Sequence, residues 1–234
     1  MVYQILAPLL DQLVPARCLN CGSITRASLT LCENCSKDII TNAKSCLCCA
    51  LPMPVAGQVC GRCQQHRPDY DQALATLLYG GMARQLVTEL KFQGKLANAG
   101  LLASLFHERL PDFERPQCLV PIPLHTSRLR ERGYNQSLEI ARVLGKLLDI
   151  PIDCRLANRR RATARQAELP RRAKRENVFN AFEATTPEIP GHIAVIDDVM
   201  TAGQTLNEFG RVMKQAGAHR VQVWALTRAG SSGH

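Results

Sequence analysis

The chain has 234 residues, of which 46% are apolar and 21% charged, with a formal net charge of +9. This composition excludes a disordered chain, and the length suits one sizeable core plus a small module, or two modest domains. The charge is local: residues 155–175 hold nine Arg or Lys against one Glu, +8 of the +9, so an anion-facing segment is expected rather than a uniformly basic surface.

The first residues, "MVYQILAPLLDQLVP", are apolar, but they lack a basic leader and are interrupted by Pro8 and Asp11. They read as a short docking helix rather than a signal peptide. No other stretch approaches the roughly 18 apolar residues of a membrane span. A cytoplasmic protein without a membrane span is expected.

Next comes a cysteine repeat. Cys18, Cys21, Cys32 and Cys35 are spaced C-x2-C-x10-C-x2-C, and Cys46, Cys49, Cys60 and Cys63 repeat that spacing 28 residues on. Each C-x2-C can turn two thiolates onto one metal, and two such pairs complete a tetrahedral shell. Four soft ligands at this spacing favour structural Zn2+ over iron–sulfur clusters, and a reducing compartment disfavours disulfides. Spacing leaves open the number of ions and whether the pairs bind in sequence or cross over. Cys48, inside "CLCC", could substitute for a neighbour, while the isolated Cys118 and Cys154 read as small apolar residues. No Phe, Tyr or Trp falls between Gln4 and Asp69, so metal is expected to supply most of this module's folding energy. The same lack disfavours base stacking by the module alone, and a structural or protein-docking role is expected. The expected division is a zinc module over residues 1–67 and a second domain over residues 68–234.

In the second domain "QALATLLY" reads as a strand, "GMARQLVTELKF" and "LANAGLLASLFHERL" as helices, and "CLVPIP" as a buried strand. "NQSLEIARVLGKLL" places Leu138, Ala141, Leu144 and Leu148 on one helical face. After the basic stretch come the strand "IAVI", a helix from about Leu206 to Ala216, and the strand "VQVWAL". The alternation predicts an α/β fold with an open, mainly parallel sheet, whose ligands sit at the carboxyl ends of the strands. Phe179 and Phe182, after the basic stretch, read as core rather than as stacking surfaces.

Residues 195–205, "VIDDVMTAGQT", occupy such a strand end. Asp197 and Asp198 are expected to emerge there, and Thr201 to Thr205 to turn into a helix whose free amides favour a phosphate. Gly203 allows close approach. Carboxylates beside a phosphate cradle need another role on the same ligand, and ribose hydroxyls, with or without Mg2+, supply it. "TLNE" also reads as a capping box from Thr205 to Glu208, with Gly217 closing the helix. A Walker loop is excluded, because no glycine-lysine-Ser/Thr follows a strand here.

"VIDDVMTAGQT" resembles the 5-phosphoribosyl-1-pyrophosphate (PRPP) motif of type I phosphoribosyltransferases. The order of cysteine pairs, "LKFQGK", "VPIPLHTSRLRERGYNQS", "RATARQAELPRRAKRENVFNAF" and the PRPP motif resembles the ComF/GntX family of competence and DNA-utilisation proteins, over about Cys18 to Arg228. The resemblance implies a phosphoribosyltransferase-like sheet with a small cysteine-rich zinc module, and PRPP with Mg2+ as ligands. It implies that Asp197 and Asp198 are the catalytic acids on the ribose hydroxyls, and that Thr201, Ala202, Gly203, Gln204 and Thr205 surround the 5′-phosphate. A pyrophosphate loop would run from Pro123 to Arg128, with Arg128, Arg130 and Arg132 nearby. The basic stretch, with Arg159, Arg160, Arg161, Arg171, Arg172 and Arg175, would take the place of the mobile catalytic loop and face pyrophosphate or nucleic acid. Ala202 departs from the usual Thr-Thr-Gly loop and removes one hydroxyl contact. The implied function is DNA uptake or use of extracellular DNA, with single-stranded DNA and a DNA-uptake helicase or other competence protein as partners. An active phosphoribosyltransferase acting on an unidentified base and a PRPP-sensing regulator are the alternatives.

Overall fold

Four-residue apolar runs such as Ile193–Ile196 have no polar face to offer water, which suits strands covered on both sides of a parallel sheet. The computed structural model has that arrangement; it describes residues 17–25, 31–161 and 178–230. The expected docking helix at residues 1–15 and the arginines 171, 172 and 175 lie outside the described residues.

In chain order the elements are α1 (Glu33–Lys37), α2 (Gly61–Gln65), β1 (Gln72–Leu74), β2 (Leu77–Leu78), α3 (Gly81–Phe92), α4 (Ala97–His107) and β3 (Cys118–Pro121). They continue with α5 (Thr126–Arg132), α6 (Gln136–Leu148), β4 (Ala157–Arg159), β5 (Phe182–Ala184), β6 (His192–Met200), α7 (Gln204–Gln215) and β7 (Arg220–Arg228). The main sheet is parallel, in the order β1-β7-β6-β3, with β2 also on β7. β4 and β5 form a separate antiparallel pair. Among the described residues no helix is long and apolar enough to cross a membrane.

Strand alternation divides the core in two. Ile193, Val195, Val221 and Val223 face α7 through Leu206, Phe209 and Met213, and this cluster includes Cys46, Cys49, Cys60 and Cys63. Ala194, Ile196, Trp224 and Leu226 face α3, α4 and α6, and that cluster includes Cys18 and Cys35. The two cysteine quartets therefore pack on opposite faces of the sheet. The segment between them crosses the β1/β2 edge, where Asn42 donates its backbone N–H to Thr76 O (2.8 Å) and its side-chain amide to Ala50 O and Ala75 O (both 2.9 Å). Leu78 N–H to Ile40 O (2.8 Å) and Ala73 N–H to Cys48 O (2.8 Å) complete the seam. These bonds cover what would otherwise be an open sheet edge.

Several expectations are corrected. "QALATLLY" is two short strands, because Asn42 takes the carbonyls of Ala75 and Thr76 between them. The stretch expected as a loop to Arg128 becomes helix α5 from Thr126, capped by His125 Nδ1 accepting from Ser127 N–H (3.2 Å) and closed by left-handed Gly133. The α6 face is rotated: Ser137, Ile140, Ala141 and Leu144 are buried, while Leu138 and Leu148 are only partly so. β6 does not end before the acid pair but runs to Met200, with Asp197 opposite Ala225. Finally, α7 begins at Gln204, with Gly203 as its cap, so Thr205 is already helical and the capping box is not formed. Glu208 instead accepts from Asn180 N–H (2.9 Å) and pairs with Arg211 (2.6 Å).

Gly145 sits in α6 where an added Cβ would lie 2.9 Å from the carbonyl oxygen of Ile150. Helix propensity alone favours Gly→Ala by about 1 kcal/mol, but the clash is with backbone and cannot be relieved by a rotamer. Gly145→Ala is expected to destabilise the protein by about 1–3 kcal/mol, read as a lower urea midpoint.

Candidate functional site

The end of β6 brings two carboxylates into different settings. Asp198 is buried, its side chain 3% exposed, with Oδ2 2.5 Å from Nζ of Lys91 on α3. Burial opposes its ionisation, but the lysine charge outweighs this and holds the carboxyl below the usual aspartate range. Asp197 Oδ1 accepts from Asp198 N–H (2.9 Å) and from Ser137 Oγ (3.3 Å). Burial and the charge of Asp198 push Asp197 up to about 8. Lys91 is raised despite burial, because both carboxylates face it. One acid is thus held towards its anion and the other driven towards its protonated form, a division that suits acid–base or hydroxyl-binding work.

Lys91 is a site residue that sequence reasoning missed. A signal was there: Lys91 follows Leu90 and falls four residues after Val87, on the buried stripe of an amphipathic helix. A lysine in that place needs an anion.

Beyond Met200 the chain turns through Thr201 and Ala202 into Gly203, whose φ is +76°. That left-handed φ favours glycine, whereas the approach of an added Cβ to Met200 Cε (2.8 Å), the end of a flexible side chain, could be relieved by a rotamer change. Arg228, 2% exposed, donates from Nη1 to Met200 O (2.9 Å), to Thr201 O and to Ala229 O (2.8 Å), and from Nε to Cys49 O (3.0 Å). Arg62, between Cys60 and Cys63, donates to Ala202 O (3.0 Å). Three successive carbonyls are held by guanidinium groups. In a trans peptide the next N–H points the opposite way, so the amides of Thr201, Ala202 and Gly203 face away from the arginines. With the start of α7 they form a nest suited to an anion. Gln204 and Thr205 are the first residues of that helix.

The arginines divide. Arg159 on β4 lies with its guanidinium 5.2 Å from the Phe182 ring centre; burial lowers its pKa, as does nearby Arg128, while Asp197 opposes the shift. Arg132 acts on the charge of Asp198 and donates to Gln136. Arg159 thus acts on Asp197 and Arg132 on Asp198, with Arg128 beside Arg159. Arg130 is exposed on α5. Arg160 turns to Glu183 and Arg161 donates to Phe179 O (3.2 Å), so the triple arginine is not one patch. Phe182 is core, packed edge-on against Phe209 at 5.2 Å, whereas Phe179 is 55% exposed beneath Arg211.

The metal ligands form two sequential quartets. The Sγ atoms of Cys18, Cys21, Cys32 and Cys35, and those of Cys46, Cys49, Cys60 and Cys63, lie within 4.8 Å of one another in each set. Cys21–Cys32 and Cys49–Cys60 are 3.7 Å apart. Tetrahedral Zn–S bonds of about 2.3 Å put the edge at about 3.8 Å, whereas a disulfide needs about 2.05 Å. The cysteines fit structural zinc, and the pairs do not cross over. Cys48 is buried beside the second quartet without belonging to it; Cys118 is buried in β3 and Cys154 is exposed.

Two outcomes are expected. Metal analysis of the purified protein gives two zinc ions per chain; Cys63→Ser, in the fully buried quartet that shares the sheet core, lowers thermal stability more than Cys21→Ser at the exposed corner of the first. Lys91→Met leaves Asp198 buried without its cation and costs about 3 kcal/mol at neutral pH, by urea denaturation. A carboxyl whose folded pKa is depressed adds stability above its unfolded value, about 4, and loses it as pH falls through the folded one. The cost of Lys91→Met therefore shrinks as pH falls below about 4.

The double zinc ribbon domain family matches residues 9–64. Competence protein F of Haemophilus influenzae is 32% identical over 223 residues, 91% of this chain and 97% of that protein. DNA utilization protein YhgH of Escherichia coli is 32% identical over 222 residues, 92% of this chain and 98% of that one. Competence protein ComFC of Streptococcus pneumoniae is 26% identical over 230 residues, 91% of this chain and all (100%) of that one. A solved structure titled "Analysis of an invariant aspartic acid in HPRTs-asparagine mutant" aligns over 61% of this chain and 77% of its own, with a TM-score of 0.31 and 11% identity. With relatives of this similarity along nearly its whole length and a double zinc ribbon at the front, the chain belongs to the ComF/GntX family of competence and DNA utilization proteins.

Proposed function

We propose that this protein serves DNA uptake or the use of extracellular DNA in the cytoplasm, and that the end of its sheet holds a phosphoribosyl group, as PRPP or a nucleotide. The observation that carries the ligand is the juxtaposition of the Asp197/Asp198/Lys91 cluster with the Thr201–Gly203 turn. The acids take the ribose hydroxyls, directly or through Mg2+, and the outward amides with Gln204 and Thr205 take the 5′-phosphate. Of the two acids the less buried Asp197 would be the one to meet Mg2+, on losing its proton, because Asp198 is buried against Lys91. Such an ion supplies charge for a leaving pyrophosphate; the chain's own residues orient the sugar and shield its phosphates.

Arg132 and Arg159, whose charges act on the acids, with Arg128 beside Arg159, favour a second reading, phosphoribosyl transfer to a base nitrogen. Cationic groups placed where pyrophosphate leaves would stabilise the developing charge. In the strand-handling reading the same arginines, with Arg160 and Arg161 and the basic residues Arg171, Arg172 and Arg175, meet the phosphates of single-stranded DNA. Exposed Leu19, Ile24, Leu47 and Val55 on the zinc ribbon support a protein partner, a DNA-uptake helicase or another competence protein.

Calorimetric titration of the zinc-loaded chain with PRPP and Mg2+ is the test, beside Asp197→Asn/Asp198→Asn. Saturable binding abolished by the double substitution is expected. Its absence in folded, zinc-loaded protein overturns the phosphoribosyl reading. On the same samples Arg159→Ala/Arg160→Ala/Arg161→Ala is expected to weaken single-stranded DNA of any sequence and to flatten its salt dependence.

A further inference from the structure

Phe92 is 65% exposed at the last position of α3. Its predecessor, Lys91, turns inward to Asp198, and the ring lies against Arg132, whose charge acts on Asp198. Single exposed apolar side chains are common and carry no meaning by themselves. This one is braced. The Arg132 guanidinium lies 5.8 Å from the ring centre, and Arg132 is held by Gln136, next to the Ser137 that bonds Asp197. The Tyr134 hydroxyl donates to Leu90 O and fixes the α5–α6 junction against the end of α3. Leu129, one turn before Arg132, is also exposed and adds apolar surface to the same helix.

We propose that Phe92, with Arg132 against it, is a platform for the ring of a nucleobase attached to the sugar that the acid pair holds. This deepens the phosphoribosyl reading by naming what sits beyond C1′. An aromatic face and a guanidinium both stack on heterocycles, and both tolerate any base. A sugar phosphate alone has no flat apolar face to offer them. The zinc ribbon has no aromatic between Gln4 and Asp69, so it cannot supply such a face itself. The nucleobase can come from a mononucleotide or from a nucleotide within a single strand, and the chemistry recognised is the same.

The experiment uses the full zinc-loaded chain, wild type, Phe92→Leu and Phe92→Tyr. Exposure of Phe92 means that both variants should fold, which circular dichroism checks. Each is titrated with ribose 5-phosphate and with adenosine 5′-monophosphate. Each is also titrated with a single-stranded oligonucleotide and an abasic strand of equal length. Phe92→Leu is expected to weaken the base-bearing ligand by roughly tenfold, leave its base-free counterpart unchanged, and be rescued by Phe92→Tyr. If only the mononucleotide pair shows this difference, the base belongs to a small nucleotide; if only the strand pair does, it belongs to DNA. Failure of wild type to bind ribose 5-phosphate and the mononucleotide overturns the phosphoribosyl reading while the strand pair still tests Phe92. Equal effects of Phe92→Leu on the base-bearing and base-free members of both pairs, or no effect on either, overturn the platform.

Discussion

A buried guanidinium holds this molecule together at its functional end. Arg228 closes the last strand of the sheet, and its donors reach the carbonyls of Met200, Thr201, Ala229 and Cys49. Those partners belong to three structures: the turn after β6, the chain's exit from β7, and the second cysteine quartet. A buried arginine is costly unless its donors are satisfied, and here carbonyl oxygens that the turn cannot satisfy internally do so. The zinc ribbon is therefore part of the wall of the site rather than an appendage. Arg62, carried between two metal ligands, reinforces the wall from the same side.

On the inner side of that wall the charges are balanced locally. Two adjacent carboxylates cannot both be ionised in a buried setting without a cation, and Lys91 supplies one charge for two acids. The second negative charge is left to be compensated by what binds, or by a proton. Arg132 and Arg159 stand near enough for their charges to act on the pair, with Arg128 beside Arg159. Such an arrangement repels a bare anion at the carboxylates and attracts it a few ångströms away. A ligand that presents hydroxyls to one part and phosphates to the other satisfies both.

Much of this was legible in the sequence. The apolar run Ile193–Ile196 and its neighbours announce a covered parallel sheet, and the doubled cysteine spacing announces metal, because both are local patterns with a fixed period. The acid pair was legible as adjacent carboxylates before the Gly203 turn, but not its asymmetry, which comes from Lys91 more than a hundred residues earlier in the chain. Arg228 was missed for a similar reason. A charged residue at the end of "VQVWAL" reads as an exposed terminus, and its partners are scattered. Arg159, Arg160 and Arg161 read as one basic patch until strand pleating sends neighbours to different sides. Helix α5 was hidden by the proline-rich strand before it, although Gly133 and the arginines of its last turn are ordinary stop signals.

The central position of β7 bears on how the protein is made. Asp71 accepts from Val221, 150 residues later, and Cys49 O receives Arg228 from 179 residues away. Both cysteine quartets leave the ribosome complete long before the strand they must embrace exists. The ribbon can load its metals early, yet it has no sheet edge to cover until β7 has been made. Pairing at such separation makes the final closure slow relative to local folding. The nascent protein thus carries a finished ribbon beside an unfinished sheet while β3 to β6 are made, and the residue that seals the turn follows Cys49 by 179 residues.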